Sequence, residues 1–162
     1  MEKIGLFPGS FDPITLGHLD LIKRSAAIVD HLYVGVFQNT HKVGLFSNQE
    51  KVDLVKKCVS DLENVTVIAQ ESELTIQTAT KLQATVLFRG IRSVKDYEYE
   101  RDIALTNHDL APTIETIILF SKPEYAHISS SLIKEIWHFN GEINSFVPRD
   151  VKLALEHKGA DA

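Results

Sequence analysis

Cysteine is almost absent from this chain of 162 residues, since Cys58 is its single example. One thiol excludes an intrachain disulfide and every paired C-x-x-C metal or redox motif. Cys58 also falls among Val52, Val55 and Val59, a setting typical of a small buried hydrophobic residue rather than of a nucleophile. The chemistry of this protein is therefore expected from other side chains.

Long hydrophobic runs are missing as well. No stretch approaches the roughly 18 apolar residues of a membrane span. The first four residues lead into a short strand-like segment and not into the apolar core, about 7–15 residues long, of a signal peptide. We therefore expect a cytoplasmic protein with no membrane partner.

Positive charge is in deficit, with 17 Lys and Arg against 22 Asp and Glu and a formal net charge of −5. This balance disfavours a nucleic-acid partner, because such domains are usually strongly basic. The apolar content of 44% is enough for a buried core, and the length predicts a single domain over residues 1–162. Any anion bound by this acidic chain must be met by a local cluster of cations.

Several common catalytic motifs are also absent. The sequence contains no G-x-x-x-x-G-K-[ST], no G-x-G-x-x-G, no H-E-x-x-H and no G-x-S-x-G. These absences disfavour P-loop nucleotide hydrolases, dinucleotide-binding Rossmann domains, zinc peptidases and α/β-hydrolases.

The chain instead alternates short β-rich runs with helix-length segments. Strands are predicted at 3–7, 32–37, 65–69, 85–88 and 116–120. Helices are predicted at 16–28, 47–60, 75–82, 94–107, 129–138 and 148–157, and Ser47 and Glu50 have capping-box spacing. Strand-then-helix units in succession predict parallel strands with crossover helices. Strands that are apolar throughout, such as 117–120, favour coverage of both faces, so the predicted fold class is α/β, a five-stranded parallel sheet with helices on both faces.

Cationic side chains follow most of the predicted strands. His18 comes after the first strand, Lys42 after the second, and Arg89 and Arg92 after the fourth. Ligands of parallel sheets bind beyond the carboxyl ends of the strands, so these side chains should converge on one rim. Such a rim would hold a multiply charged anion, and His18, at a helix start, could donate Nε2–H to a phosphate oxygen.

Two further segments suit phosphate. Arg89 and Arg92 are three residues apart, and each guanidinium can hold a phosphate with two hydrogen bonds. Residues 129–131 are three serines that open a predicted helix. The alternatives are solvated surface arginines and simple helix capping. The nearest carboxylates form no acid–base pair by spacing alone; they are Asp12, Asp96, Glu98 and Glu100.

Four runs resemble the bacterial phosphopantetheine adenylyltransferase family of the nucleotidyltransferase superfamily, whose signature is T/H-x-G-H. They are residues 8–18, 89–92, 96–100 and 128–135. The resemblance implies a Rossmann-like nucleotidyltransferase fold and transfer of the adenylyl group of ATP to 4′-phosphopantetheine. The products would be dephospho-coenzyme A and pyrophosphate, in the penultimate step of coenzyme A biosynthesis. It also implies Mg²⁺ and a cytoplasmic homohexamer.

The resemblance also assigns roles by position. The residues expected to act in catalysis are His18, Ser10, Lys42 and Arg92, with His18 stabilising the transition state. The phosphopantetheine contacts are expected from Ser10, Lys42, Thr75 and Arg89. The ATP contacts are expected from Ser10, Phe11, His18, Gly90, Ile91, Arg92, Glu100, Tyr125, Ala126, His127, Ile128, Ser129, Ser130 and Ser131. Ser10 replaces a threonine common in the family and keeps its hydroxyl. Metal ligands are not predicted, because Mg²⁺ often rests mainly on phosphates and water.

Alternatives from other classes remain open on the sequence. A nucleotidyltransferase with nicotinamide mononucleotide or glycerol 3-phosphate as acceptor could carry the same T-x-G-H loop, and pyrophosphate release with each acceptor separates these cases. A nucleotide-sensing module would bind ATP without releasing pyrophosphate. A flavodoxin-like electron carrier would be yellow.

Overall fold

The computed structural model describes residues 2–37, 44–70 and 72–160. Strands and helices alternate along them. The strands are β1 (Ile4–Gly9), β2 (His31–Phe37), β3 (Val65–Gln70), β4 (Val86–Ile91) and β5 (Glu115–Phe120). The helices are α1 (Leu16–Ala26), α2 (Asn48–Cys58), α3 (Thr75–Lys81), α4 (Val94–Leu110), α5 (Ser130–His138) and α6 (Arg149–Ala160), with a 3-10 turn at Pro123–Tyr125.

The strands form one parallel sheet in the order β3-β2-β1-β4-β5. The chain moves outward from β1 through β2 to β3, and then returns to place β4 on the other side of β1. Crossover helices therefore diverge at the boundary between β1 and β4, which is the switch point where open α/β sheets bind ligands. The predicted parallel sheet is confirmed.

Apolar side chains cover both faces of the sheet. Leu6 of β1 and Leu87 of β4 lie in one buried cluster, together with Ile76 of α3. Their neighbours Phe7 and Phe88 lie in the other cluster, with residues of α1, α2, α5 and α6. Because successive side chains of a strand point to opposite faces, the helices pack on both sides of the sheet, as predicted.

The end of β4 differs from the prediction. The strand was expected to stop at residue 88, which would leave Arg89, Gly90 and Ile91 in a loop. It continues to Ile91, which is buried and pairs in register with Phe120 of β5. The pairing with β5 keeps the backbone extended, so Arg89 projects from a rigid strand.

None of the described helices combines the length and the apolar character that a membrane crossing requires.

Candidate functional site

A cleft of about 340 Å³ opens at the carboxyl ends of β1 and β4. Its walls come from the β1–α1 loop, the end of β4, the start of α4 and the start of α5. Twelve of the residues expected at the site line it: Ser10, Phe11, His18, Arg89, Gly90, Arg92, Glu100, Tyr125, Ile128, Ser129, Ser130 and Ser131. The convergence on one rim that was predicted for the cations is therefore observed for His18, Arg89 and Arg92.

Other expected site residues lie elsewhere. Ile91 is buried beneath the rim, and Ala126 and His127 are not among the residues lining the cleft. The His127 ring instead contacts Phe146 edge-on, with centroids 6.0 Å apart. Lys42 lies outside the described residues.

The β1–α1 loop is shaped by Gly9 and Phe11. Phe11 adopts a left-handed backbone with φ of 46°, and its ring is buried. A Cβ atom on residue 9 would lie 2.7 Å from that ring, so only glycine allows the ring to pack so closely on the backbone. The Phe11 ring in turn contacts the His18 ring edge-on at 5.2 Å. Through this contact the loop supports the His18 ring.

Asp12 lies behind the loop and does not line the cleft. Its buried carboxylate accepts hydrogen bonds from the backbone N–H groups of Leu45 at 2.9 Å and Phe46 at 3.0 Å. Lys134 of α5 pairs with it at 3.3 Å. Asp12 therefore ties the loop to the segment before α2 and to α5, and it has no part in acid–base chemistry within the cleft.

His18 is held in one orientation at the start of α1. The backbone N–H of Thr15 donates to Nδ1 of His18 at 3.1 Å, and the backbone N–H of His18 faces Oγ1 of Thr15 at 3.3 Å. A backbone N–H can only donate, so Nδ1 is the acceptor and the ring proton of the neutral imidazole resides on Nε2. The site therefore presents an Nε2–H donor.

The imidazole of His18 is neutral near pH 7. Burial within the site, together with the nearby positive charge of Arg92, lowers the pKa of His18 from 6.5 to about 4. The neutral ring can donate its Nε2–H to an incoming phosphate, and it does so without a positive charge.

Arg92 is fixed by two neighbouring segments. Its Nε and Nη2 donate to Asp96 at 2.9 and 3.3 Å, and its Nη1 donates to the carbonyl oxygen of Ile128 at 3.2 Å. The hydrogen bonds from the Arg92 side chain to Asp96 hold the pKa of Asp96 below its usual range, so its carboxylate stays charged. Arg92 thus joins the start of α4 to the segment before α5 and brings a positive charge to the cleft.

Arg89 pairs with Glu100 through two hydrogen bonds. Nε donates to Oε2 at 2.6 Å and Nη2 donates to Oε1 at 2.7 Å. Glu100 is the only buried residue of α4, and its carboxylate would be costly to bury without this partner. The pair fixes the guanidinium at the inner end of the cleft.

Two helix amino termini face the cleft. Ser129 caps α5 by accepting the backbone N–H of Leu132 at 3.1 Å, and the Ser130 hydroxyl donates to the carbonyl oxygen of Pro13 at 2.8 Å. Ser131 follows in the first turn. The starts of α1 and α5 both offer backbone N–H groups and positive dipole ends, an arrangement that favours phosphate.

A second cavity of about 590 Å³ adjoins the cleft, and Phe37 and Arg89 line both. Thr75 lines the second cavity, at the start of α3, and so lies apart from the ATP-contact residues. Its α4 wall includes Tyr99, Ile103, Thr106 and Leu110. This wall was not predicted from the sequence, although the spacing of three and four residues along one helix face was its signal.

No ready protein site for a metal exists among residues 2–37, 44–70 and 72–160, where no three His, Cys, Asp or Glu side chains are grouped to hold an ion. The two carboxylates that line the cleft, Asp96 and Glu100, are already paired with arginines. This donor set fits a divalent ion held mainly by phosphate and water oxygens.

Comparison with known proteins agrees with this architecture. The family model described as Cytidylyltransferase-like matches residues 6–136. A crystal structure from Vibrio parahaemolyticus, assigned as a nicotinate-nucleotide adenylyltransferase, superposes with a TM-score of 0.76. It covers 98% of this chain and 94% of that chain at 18% identity, a likeness that shows the fold alone.

Sequence relatives are closer. The phosphopantetheine adenylyltransferase of Lachnoclostridium phytofermentans is 48% identical over 156 residues, which cover 96% of this chain and 95% of that protein. That of Limosilactobacillus reuteri is 46% identical over 96% of this chain and 90% of its own length. These alignments cover nearly the full length of the chain at 46–48% identity, and the fold is that of a nucleotidyltransferase. The chain therefore belongs to the phosphopantetheine adenylyltransferase family.

Proposed function

We propose that this enzyme transfers the adenylyl group of ATP to 4′-phosphopantetheine, giving dephospho-coenzyme A and pyrophosphate. The observation that carries the proposal is the meeting of the cleft and the second cavity at Arg89. An adenine nucleotide in the cleft and an elongated phosphorylated acceptor in the second cavity would bring their phosphates together beside that guanidinium.

The cleft suits ATP on grounds of charge. His18 offers a neutral Nε2–H donor, Arg92 offers a positive charge, and the starts of α1 and α5 offer backbone N–H groups. We assign His18, Ser10, Lys42 and Arg92 to catalysis. His18 would stabilise the charge that grows on the α-phosphate as the acceptor attacks.

The second cavity suits the pantetheine arm. Its walls are mixed, with apolar Leu74, Ile103 and Leu110 beside polar Thr75, Asp102, Thr106 and Asn107. A chain of alternating methylene and amide groups would find both kinds of surface there. Arg89 would receive the acceptor phosphate at the inner end.

The chemistry needs no general base. The acceptor phosphate is itself the nucleophile and is already ionised near pH 7. It attacks the α-phosphorus of ATP in line, one P–O bond forms, and the bond to pyrophosphate breaks. The main obstacle is repulsion between about four negative charges on ATP and about two on the acceptor, so catalysis rests on positioning and electrostatics.

Mg²⁺ would enter with ATP. The paired state of Asp96 and Glu100 leaves the triphosphate and water as its natural ligands. When bound, the ion would offset part of the phosphate repulsion, and the side chains of the cleft would orient the nucleotide.

We further propose a homohexamer in the cytoplasm. Large apolar side chains are exposed on α4 and at the end of β5, including Val94, Leu105 and Phe120, which are 75%, 61% and 73% exposed. Such a surface favours burial against another copy of the chain. The cytoplasmic location is supported by the single, buried Cys58, which leaves no disulfide to maintain.

The direct test supplies ATP, Mg²⁺ and 4′-phosphopantetheine and follows dephospho-coenzyme A by mass spectrometry together with pyrophosphate. Both products should appear in equal amounts. Nicotinamide mononucleotide and glycerol 3-phosphate serve as competing acceptors. Pyrophosphate release with either of these, and none with 4′-phosphopantetheine, would contradict the proposal, as would ATP binding without turnover for any acceptor.

A further inference from the structure

Lys51 is a buried lysine that the proposed chemistry does not use. It lies on α2, and only 4% of the residue is exposed. Lysine is almost never buried to this degree unless its charge is paired. Among the described residues, however, no carboxylate forms an ion pair with Lys51, and its ammonium donates to the backbone carbonyl oxygen of Phe37 at 3.0 Å. Burying a cation without a direct counter-ion is costly to the fold, so its place is a candidate for a functional role.

Two other charges act on the Lys51 ammonium. Burial lowers the pKa of Lys51 below its ordinary value of 10.5, the Asp12 carboxylate opposes this change, and the charge of Lys134 adds to it. The ion pair of Asp12 is formed with Lys134, at 3.3 Å, and not with Lys51. Two cations therefore share one anion. With both lysines protonated, this cluster has one positive charge in excess.

The excess charge lies directly behind the candidate site. Phe37, whose carbonyl oxygen meets the Lys51 ammonium, ends β2 and lines both the cleft and the second cavity. Asp12 follows Phe11, which also lines the cleft. The ammonium is therefore one residue away from the wall that both spaces share. Inside the protein its charge is screened by water and salt less than the charge of a surface lysine.

From this arrangement we propose that Lys51 is a specificity-determining residue for phosphate-bearing ligands, whose buried ammonium supplies positive charge to the shared wall of the cleft and the second cavity without touching a ligand. The chain as a whole has a net charge of −5 and repels multiply charged anions. A cation held behind the wall offsets that repulsion where the substrates meet. The inference rests on the proposed function for the identity of these ligands, and it adds a source of charge to that site.

The test measures how the loss of this charge depends on the charge of the ligand. Lys51→Met keeps most of the apolar stem and removes the ammonium. Adenosine, AMP, ADP and ATP share one nucleoside and differ in their phosphates, and their binding is measured without Mg²⁺ by calorimetry or NMR titration. We expect Lys51→Met to bind ATP about tenfold more weakly and adenosine less than about twofold more weakly, with ADP and AMP between them. An equal loss for adenosine and ATP, or no loss for ATP, would overturn the proposal.

Two further variants complete this comparison. Lys56→Met makes the same change of net charge at an exposed position of α2, and it should leave the binding of all four ligands unchanged. Lys51→Arg keeps a positive charge at the buried position, so it should restore most of the affinity for ATP that Lys51→Met loses. A folded Lys51→Arg that binds ATP as weakly as Lys51→Met would overturn the proposal.

A third measurement needs no variant. If the charge of Lys51 favours bound ATP, then bound ATP favours the charged form of Lys51, because the coupling between two sites is reciprocal. The pKa of Lys51, followed by NMR of its side chain in the wild type, should therefore rise when ATP binds and stay the same when adenosine binds. An unchanged pKa with ATP would overturn the proposal even if Lys51→Met failed to fold. Failure of the wild type to form dephospho-coenzyme A would instead contradict the proposed function, so the two failures are distinguishable.

Discussion

Thr15 and His18 hold each other across the first turn of α1. The backbone N–H of Thr15 donates to Nδ1 of His18 at 3.1 Å, and the Thr15 hydroxyl caps the helix at the backbone N–H of His18. A histidine thus occupies the place of the glutamate or glutamine in an ordinary capping box. One set of contacts begins the helix, selects the tautomer of the ring and orients its donor.

We expect the Nε2–H donor of His18 to contribute a large part of the rate acceleration. His18→Ala should lower kcat by about 10²–10³, or about 2.7–4 kcal/mol, the cost of removing one donor to a transition-state charge. Steady-state kinetics with circular dichroism and thermal melts would measure activity and folding together. His157→Ala, at an exposed position of α6, serves as the control. Near-normal kcat in His18→Ala would remove His18 from its role.

The lowered pKa of His18 predicts its titration by NMR. In the free protein the imidazole should titrate near the pKa of about 4 rather than 6.5. Bound ATP should raise this pKa, because nearby negative charge favours the protonated ring. A titration midpoint near 6.5 in the free protein would contradict the burial of the ring.

The same shift predicts a dependence of stability on pH. Because the pKa of His18 is lower in the folded state than in the unfolded chain, the unfolded chain binds more protons between pH 6.5 and about 4. The free energy of unfolding should therefore decrease as the pH falls through this window. Urea unfolding of wild type and His18→Gln would measure it. The variant should show the weaker dependence, and equal slopes would contradict the assignment.

Arg89→Ala should weaken the binding of 4′-phosphopantetheine more than the binding of ATP, since Arg89 is the charged residue that lines both the cleft and the second cavity. The variant leaves the Glu100 carboxylate unpaired in the cleft, so the comparison is repeated with Arg89→Ala and Glu100→Gln combined. Calorimetry with each ligand measures the split, and Arg149→Ala, at an exposed position of α6, is the control. Equal losses for both ligands in the combined variant would contradict the division between the two spaces.

Gly9→Ala should destabilise the fold, because the added Cβ would lie 2.7 Å from the ring of Phe11. Overpacking of this kind costs about 1–3 kcal/mol, and displacement of Phe11 should also disturb His18. Urea unfolding and kcat would measure both effects. Gly159→Ala is the matched control, since its nearest neighbour would be 4.0 Å away, and it should leave stability unchanged or slightly increased. A fully stable Gly9→Ala would show that the loop can relax around the ring.

The sequence predicted the fold well where local patterns decide it. The strand and helix alternation, the parallel sheet and the capping box of Ser47 and Glu50 are all confirmed. The end of β4 was missed because Gly90 has a low strand preference and the charged Arg89 interrupts the apolar run. Pairing with β5 imposes the extended backbone, and a neighbouring strand is not visible in a local pattern.

For the site, the cations that follow the predicted strands were expected at one rim, and His18, Arg89 and Arg92 do line the cleft. The other expected residues came from the family resemblance. Residue types and spacing could not predict that Asp12 braces the loop from behind, or that Arg89 and Glu100 pair across 11 positions of sequence. Both contacts depend on the relative placement of elements far apart in the chain. The roles assigned by resemblance, the single domain over residues 1–162, Lys42 and Mg²⁺ stay predictions.

Phe37 and Arg89 line both the cleft and the second cavity, so one elongated molecule could fill both at once. A compound that links adenosine to a pantetheine-like tail would gain the contacts of each half while losing its overall rotational and translational freedom only once. Inhibitors of this enzyme are therefore best sought among bisubstrate compounds, in which a linker joins the two parts. The optimal length of that linker is set by the distance across the boundary between the cleft and the second cavity.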